Sequence, residues 1–358
     1  MSTPASAAPH SDPTGTVWRL TRDKGEMVAP VLILGPDGTI GGIEDAGARR
    51  WVVRDGRLVI LDGDGVARLV FMGGDPATAT RLVGGVAGPA PAGLAIERVA
   101  LPCGLDAGLP PHAEMVSNLI DDTRGRKRDN LVILRAGASS LHREWARDLA
   151  DADRNWDLCI SWYDAADPDP SDAVEYLTIQ RDVRKFAAFH QIFASRPDFW
   201  DYRQIWLPDD DLMVTRSAVN RLFEVCRRNR IELAQPALDD ASHLTYPITR
   251  RDPRFALRFT NFVEVMCPLF SREALRTCID GFRSTVSSWG LDAIWPSLVG
   301  VGGTRIAIVD DVTVTHTRPV GGLYDREAAF AEMNGMLKAY RKSLTPTVLG
   351  GLQAGCRI

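Results

Sequence analysis

The pattern of hydrophobic and polar positions changes character near residue 130. Before it, short apolar or alternating runs are separated by glycine-containing turns. Residues 28–34 precede Gly35-Pro-Asp-Gly38, 51–53 precede Arg54-Asp-Gly56, 58–61 precede Asp62-Gly-Asp-Gly65, and 67–71 precede Met72-Gly-Gly74. Asp-Gly pairs between such runs are strong hairpin signals. Residues 15–105 are therefore expected to form a small antiparallel β-sheet or barrel. Trp18 and Trp51 fit its core better than a sugar-stacking role.

From Asn130 onward, apolar strands alternate with helical stretches. Residues 131–134 form a short fully apolar strand, and 157–162 and 204–207 read as a second and a third strand. Residues 141–150, 173–195 and 217–230 carry helical patterns, and 326–343 predicts a closing helix. Residues 234–239, 261–270 and 306–316 are expected as further strands. This alternation predicts an α/β domain with a mixed, mainly parallel sheet, in which ligands gather at the carboxyl ends of strands. The expected organisation is a disordered tail (1–14), the β module (15–105), a linker (106–129), the α/β domain (130–325), and a C-terminal helix and tail (326–358). The linker carries a basic cluster of Arg124, Arg126, Lys127 and Arg128, read as a solvated loop.

Composition narrows the function classes. The 358 residues are 45% hydrophobic and 25% charged, with a formal net charge of -4, so no global charge favours nucleic acid or a membrane surface. No apolar run approaches the roughly 20 residues of a transmembrane helix. Residues 1–13 lack the layout of a signal peptide. The six cysteines are scattered, with no CxxC, so neither a disulfide framework nor a zinc pattern emerges. Cytoplasmic residence is the resulting expectation.

Candidate chemistry centres on Asp209, Asp210 and Asp211, directly after the 204–207 strand. Three adjacent carboxylates repel one another. They form either a solvated acidic turn or a site for a hard divalent cation. Their place at a strand end favours the second. Downstream, Glu264 interrupts an apolar run, where it is paired, edge-exposed or functional. Asp292 lies in Trp289-Gly-Leu-Asp292-Ala-Ile-Trp295 at a helix start, and would serve as cap or as reactive acid. His316 ends the strand 306–316 and is within reach of the same ion, although lone histidines are more often structural.

The ordered set WLPDDDL, AQPALD, FVEVMCPLFS, WGLD and VDDVTVTHTRP resembles the family known as domain of unknown function 707, over about residues 130–320. That family in turn looks like a branch of the type A (GT-A) glycosyltransferases. The resemblance implies a GT-A-like nucleotide-diphospho-sugar transferase fold, preceded by an unrelated N-terminal β module. It implies metal-dependent transfer of a sugar from a nucleoside-diphosphate donor, taken as uridine-linked, to a saccharide acceptor, with cell-surface polysaccharide synthesis as the context. Mn²⁺ or Mg²⁺ would be held by Asp209, Asp211 and His316, and would offset charge on the leaving diphosphate. Asp210 would face the sugar or ribose. Arg135, Gly137 and Lys185 would contact the nucleotide, although Lys185 is equally a solvated helix lysine. Asp292, then Glu264, would act as base toward the acceptor hydroxyl. Trp289 and Trp295 would stack on the acceptor or pack beneath it. A metal-dependent phosphohydrolase or nucleotidyltransferase and a non-catalytic carbohydrate-binding protein are the competing classes.

Overall fold

The computed structural model describes residues 13, 16–22, 26–34, 38, 40–41, 50–87, 93–98, 120–121, 128–145, 148–168, 175–300, 304–319, 325–340 and 342–355. The expected tail (1–14) except Pro13, and most of the linker, including Arg124, Arg126 and Lys127, lie outside these residues. The chain forms two compact units, 1–101 with 339–341, and 102–338 with 342–358.

The first unit is an eight-stranded antiparallel sheet. Its strands are β1 (Val17–Arg22), β2 (Met27–Leu34), β3 (Ile40–Gly41), β4 (Arg50–Arg54), β5 (Arg57–Leu61), β6 (Ala67–Met72), β7 (Arg81–Val86) and β8 (Leu94–Arg98), in the order β3-β2-β1-β8-β7-β6-β5-β4. Arg54 pairs with Arg57 across a two-residue loop, in which Asp55 and Gly56 both have positive φ. That is the backbone twist for which Asp-Gly is preferred. Trp18 and Trp51 are buried against Leu32, Leu58, Ile60 and Phe71, so both tryptophans are core residues.

The second unit is a mixed α/β sheet with helices, as the alternation predicted. Its strands are β9 (Ile120–Asp121), β10 (Asn130–Ala136), β11 (Trp156–Trp162), β12 (Tyr176–Ile179), β13 (Gln204–Trp206), β14 (Leu212–Met213), β15 (Leu233–Leu238), β16 (Phe255–Thr260), β17 (Leu269–Ser271), β18 (Ile306–His316) and β19 (Val348–Gln353). The order is β19-β16-β18-β15-β17-β13-β10-β11-β12-β9, with β14 added on β18. Every residue of β10 and β11 is buried, which is why these runs are apolar on both faces. β10 is parallel to β11 and β13, and β15 is parallel to β18. The antiparallel β17 lies between β13 and β15. Consequently β10, β11, β13, β15 and β18 all direct their carboxyl ends to one edge.

The helices are α1 (Lys185–Ser195), α2 (Arg216–Arg228), α3 (Arg272–Cys278), α4 (Leu291–Val299) and α5 (Arg326–Tyr340). In α2, Thr215 caps the Ala218 amide, and Val219, Leu222, Phe223 and Cys226 form the buried stripe.

Three expectations are corrected. The 141–150 helix is instead a 3-10 turn, Leu141–Glu144, ending at the buried Trp145, whose indole donates to the Leu212 carbonyl. The 173–195 stretch splits, because its first part supplies strand β12 and only Lys185–Ser195 is helical. Residues 261–268 form a loop rather than a strand. Phe262, Val263 and Met266 are buried, but the backbone bonds to side chains and neighbouring segments instead of a ladder: Phe262 N to Thr260 Oγ1, Glu264 N to Gln235 Oε1. Apolar text reports burial, which a packed loop shares with a strand.

Candidate active site

The parallel edge gathers the aspartates with the loops after β10 and β11. Leu207 N donates to Pro268 O and Asp209 N to Met266 O, so the chain leaving β13 stays pinned to the 266–268 loop. It then turns through Asp210 and Asp211 into β14, where Leu212 is paired with His316. Thr317 closes the junction, donating from its amide and its hydroxyl to the Asp211 carbonyl. Asp211 and His316 are thus brought together by backbone pairing, 105 positions apart in a sequence that gives no local hint of it.

The three aspartates have three different environments. Asp209 Oδ1 accepts from Lys185 Nζ at 2.6 Å, and the same ammonium donates to the Val265 and Met266 carbonyls at 2.9 and 3.0 Å. Enclosure raises the Asp209 pKa, Lys185 opposes that rise, and Asp211 adds to it. Asp210 Oδ2 accepts from the Tyr163 hydroxyl at 3.0 Å and from Gly137 N at 3.3 Å, while Oδ1 lies 3.5 Å from Arg318 Nη1. Its pKa is raised by burial against the pull of Tyr163 and Arg318. Asp211 Oδ2 lies 3.3 Å from His316 Nε2, and its buried Oδ1 has no partner.

His316 is oriented from behind. Its Nδ1 lies 2.7 Å from the His243 carbonyl, to which it donates, and that directs Nε2 toward Asp211. The 239–243 loop is fixed in turn by Asp239, which accepts from Ser242 and from the Thr315 hydroxyl, and by Ser242 Oγ accepting from His316 N. Burial disfavours the imidazolium, but Asp211 and the His243 carbonyl outweigh it and push the pKa up to about 9.

Two buried carboxyls lie nearby. Glu264 is raised to about 7 by burial and by the neighbouring Asp292, against a hydrogen bond from Thr245, and its Oε2 is unpartnered. Asp292, in the first turn of α4 and not at its cap, is raised to about 7 by burial despite accepting from the Ala293 amide. Carboxyls poised near neutrality are suited to proton transfer.

The other expected residues occupy different settings. Arg135 is buried, donating to Ser161 Oγ and the Val183 carbonyl beneath the Tyr163 ring, and burial pulls its pKa down to about 10. Gly137 lies directly under that ring; a Cβ there would come within 2.7 Å of Tyr163. Trp295 is completely buried among Phe186, Phe270 and Phe282, so its faces are covered by protein and an acceptor sugar cannot reach them. Trp289 packs edge-on against Phe330 of α5. Sequence reasoning missed Tyr163, Gln235, His243, Thr317 and Arg318. Of these, Tyr163 and Arg318 had a usable signal, since Tyr163 directly follows β11 and Arg318 lies two residues beyond the end of β18, both at the aspartate edge.

Among the described residues, no set of three or more His, Cys, Asp and Glu side chains forms a complete cation cage. Asp211 and His316 offer a pair of ligands, and the unpartnered Asp211 Oδ1 fits an acceptor-rich ion site. A separate groove of about 560 Å³, lined by Thr215, Ser217, Arg221, Asp311, Thr313 and Thr315, contains none of these groups. By strand alternation, Thr313 and Thr315 face away from His316.

Residues 189–341 match the model of a family described as Protein of unknown function (DUF707). The matched family is the one the motifs named. The DUF707 match takes in the aspartates, Glu264, Asp292 and His316, while Arg135, Gly137 and Lys185 precede it. No curated protein matches the chain. A solved structure of S. aureus TarS, residues 1–349, is similar at 8% identity and a TM-score of 0.39, covering 59% of this chain and 71% of that one. No helix among the described residues is long and apolar enough to cross a membrane.

Proposed function

We propose that the second unit is a metal-dependent glycosyltransferase, moving a sugar from a nucleoside-diphosphate donor, uridine-linked, to a saccharide acceptor. The observation that carries this reading is the Asp211–His316 pair at 3.3 Å, set at the carboxyl edge of the sheet beside the buried carboxyls Glu264 and Asp292. The motif resemblance to type A glycosyltransferases supports the same class.

Asp211 and His316 would hold Mn²⁺ or Mg²⁺, with donor phosphates and water completing the shell, as is usual for these cations. The bound cation supplies a positive charge against the leaving diphosphate. Asp209 is committed through Oδ1 to Lys185, so its part is to neutralise that lysine and to pin the loop bearing Glu264. The His243 carbonyl fixes the His316 tautomer. Asp292 and Glu264 are the groups able to take the acceptor proton near pH 7, because burial has raised both.

A panel of nucleotide sugars incubated with Mn²⁺ and oligosaccharides, read as nucleoside diphosphate release, tests the reaction. Acceptor-dependent, EDTA-sensitive release is expected. Release that ignores the acceptor points to a hydrolase, and glycan binding unaffected by EDTA and by Asp211→Ala points to a binding protein.

A further inference from the structure

A diphosphate placed beside Asp209, Asp210 and Asp211 meets three carboxyl groups, so its binding needs cationic side chains as well as a metal. Lys185 is the cation that the sequence offers, but it is already spent within the fold. Its ammonium has three donors and three short protein acceptors, Asp209 Oδ1 and the carbonyls of Val265 and Met266, and its side chain is only 15% exposed. Arg135 is likewise buried and anchored to Ser161 and Val183.

Arg318 differs on each count. It follows His316 by two residues and is placed by Thr317, which is clamped to the Asp211 carbonyl. One arm of its guanidinium donates to the Ser139 carbonyl, which fixes the side chain across the loop after Gly137. The other arm faces Asp210 at 3.5 Å, a loose contact for an ion pair. The side chain is 39% exposed. A guanidinium held by one arm, with the second in a weak contact beside the metal-binding pair, is arranged to exchange that contact for phosphate oxygens.

We infer that Arg318 is the side chain that binds the donor diphosphate, with Asp210 holding it in place until the ligand arrives. This inference rests on the glycosyltransferase reading above and assigns a ligand contact within that site. Asp210 then serves to orient the arginine, with Tyr163 and the Gly137 amide fixing its other oxygen.

Isothermal titration with MnCl2 present, using uridine diphosphate and uridine as probes, tests the inference on wild type, Arg318→Gln and Arg318→Lys. Arg318→Gln is expected to weaken uridine diphosphate binding by about 10-fold or more, the scale of a charge-assisted contact, while any uridine binding is unchanged. Arg318→Lys should recover part of the loss, because it restores charge without the fork. An unchanged melting temperature without ligand would show that the fold is retained. If Arg318→Gln proves unfolded, Arg318→Lys carries the test, with weaker diphosphate binding than wild type expected and equal binding overturning the inference. If wild type binds uridine diphosphate and folded Arg318→Gln binds it equally well, the inference is wrong and the functional reading stands. If wild type itself binds no diphosphate with Mn²⁺, the functional reading fails first and takes this inference with it.

Discussion

His316 Nε2 lies 3.3 Å from Asp211 Oδ2, while its Nδ1 is committed to the His243 carbonyl. The ring is therefore held from one side and presented to the carboxylate from the other. The proton that links Nε2 to Asp211 in the metal-free protein occupies the place a cation would compete for, because a ligating imidazole must give that proton up. Metal binding should accordingly be weak at pH 6 and tighter at pH 8. Mn²⁺ titrations at both values check this, and equal affinities would argue against His316 as a ligand.

The two buried carboxyls make stability depend on pH. Glu264 and Asp292 are both raised to about 7, so the folded protein binds their protons more tightly than the unfolded chain does. Their contribution is fully present below about pH 4, falls as pH rises, and is lost above about pH 7. The change is about 3 kcal/mol for Glu264 and about 4 kcal/mol for Asp292. Glu264→Gln and Asp292→Asn should each raise the melting temperature at pH 8, with little change at pH 4. Each should also abolish turnover if it removes the acceptor base. Melting curves across this range, with activity on the same samples, separate the two effects.

Lys185 is held as a strut. Lys185→Met would leave Asp209 and two carbonyls without their donor, a cost of about 2 kcal/mol for a partly enclosed site. Adding Asp209→Asn should recover part of that loss, since the stranded charge is removed. A double-mutant cycle by urea denaturation measures the coupling, and strict additivity would deny the strut.

Gly137 is required by space. Gly137→Ala would press its methyl into the Tyr163 ring, which must shift and loosen its bond to Asp210. A destabilisation of about 1–2 kcal/mol is expected, with recovery in the Gly137→Ala/Tyr163→Ala double variant. Thermal melts of both variants check the pairing.

The sequence made much of this architecture legible where burial and strand periodicity coincide. β10, β11 and β13 are buried, mostly apolar runs, and the aspartates after the third pointed to the candidate site. The loop at 261–268 misled because its backbone is satisfied by Gln235, Thr260 and the 207–209 segment, while its side chains are as apolar as those of a strand. β19 was missed because its residues are mostly exposed and glycine-containing, and pairing with β16 alone makes it a strand. Lys185 looked like a ligand contact because its acceptors lie 24 residues and more away. His243 orients His316 through its carbonyl, which any residue carries, and its ring meets the His316 ring edge-on across 73 positions of sequence, so nothing local in the text marked it.

A metal–diphosphate site at Asp211 and His316 is tested most directly by thermal stabilisation by uridine diphosphate with and without Mn²⁺, on wild type, Asp211→Asn and His316→Gln. A ligand bound only by the folded protein raises the midpoint by mass action. A rise is expected in wild type that needs both nucleotide and metal, and that disappears in each variant while the midpoint without ligand stays close to wild type. No rise in wild type, or an undiminished rise in both variants, would contradict it.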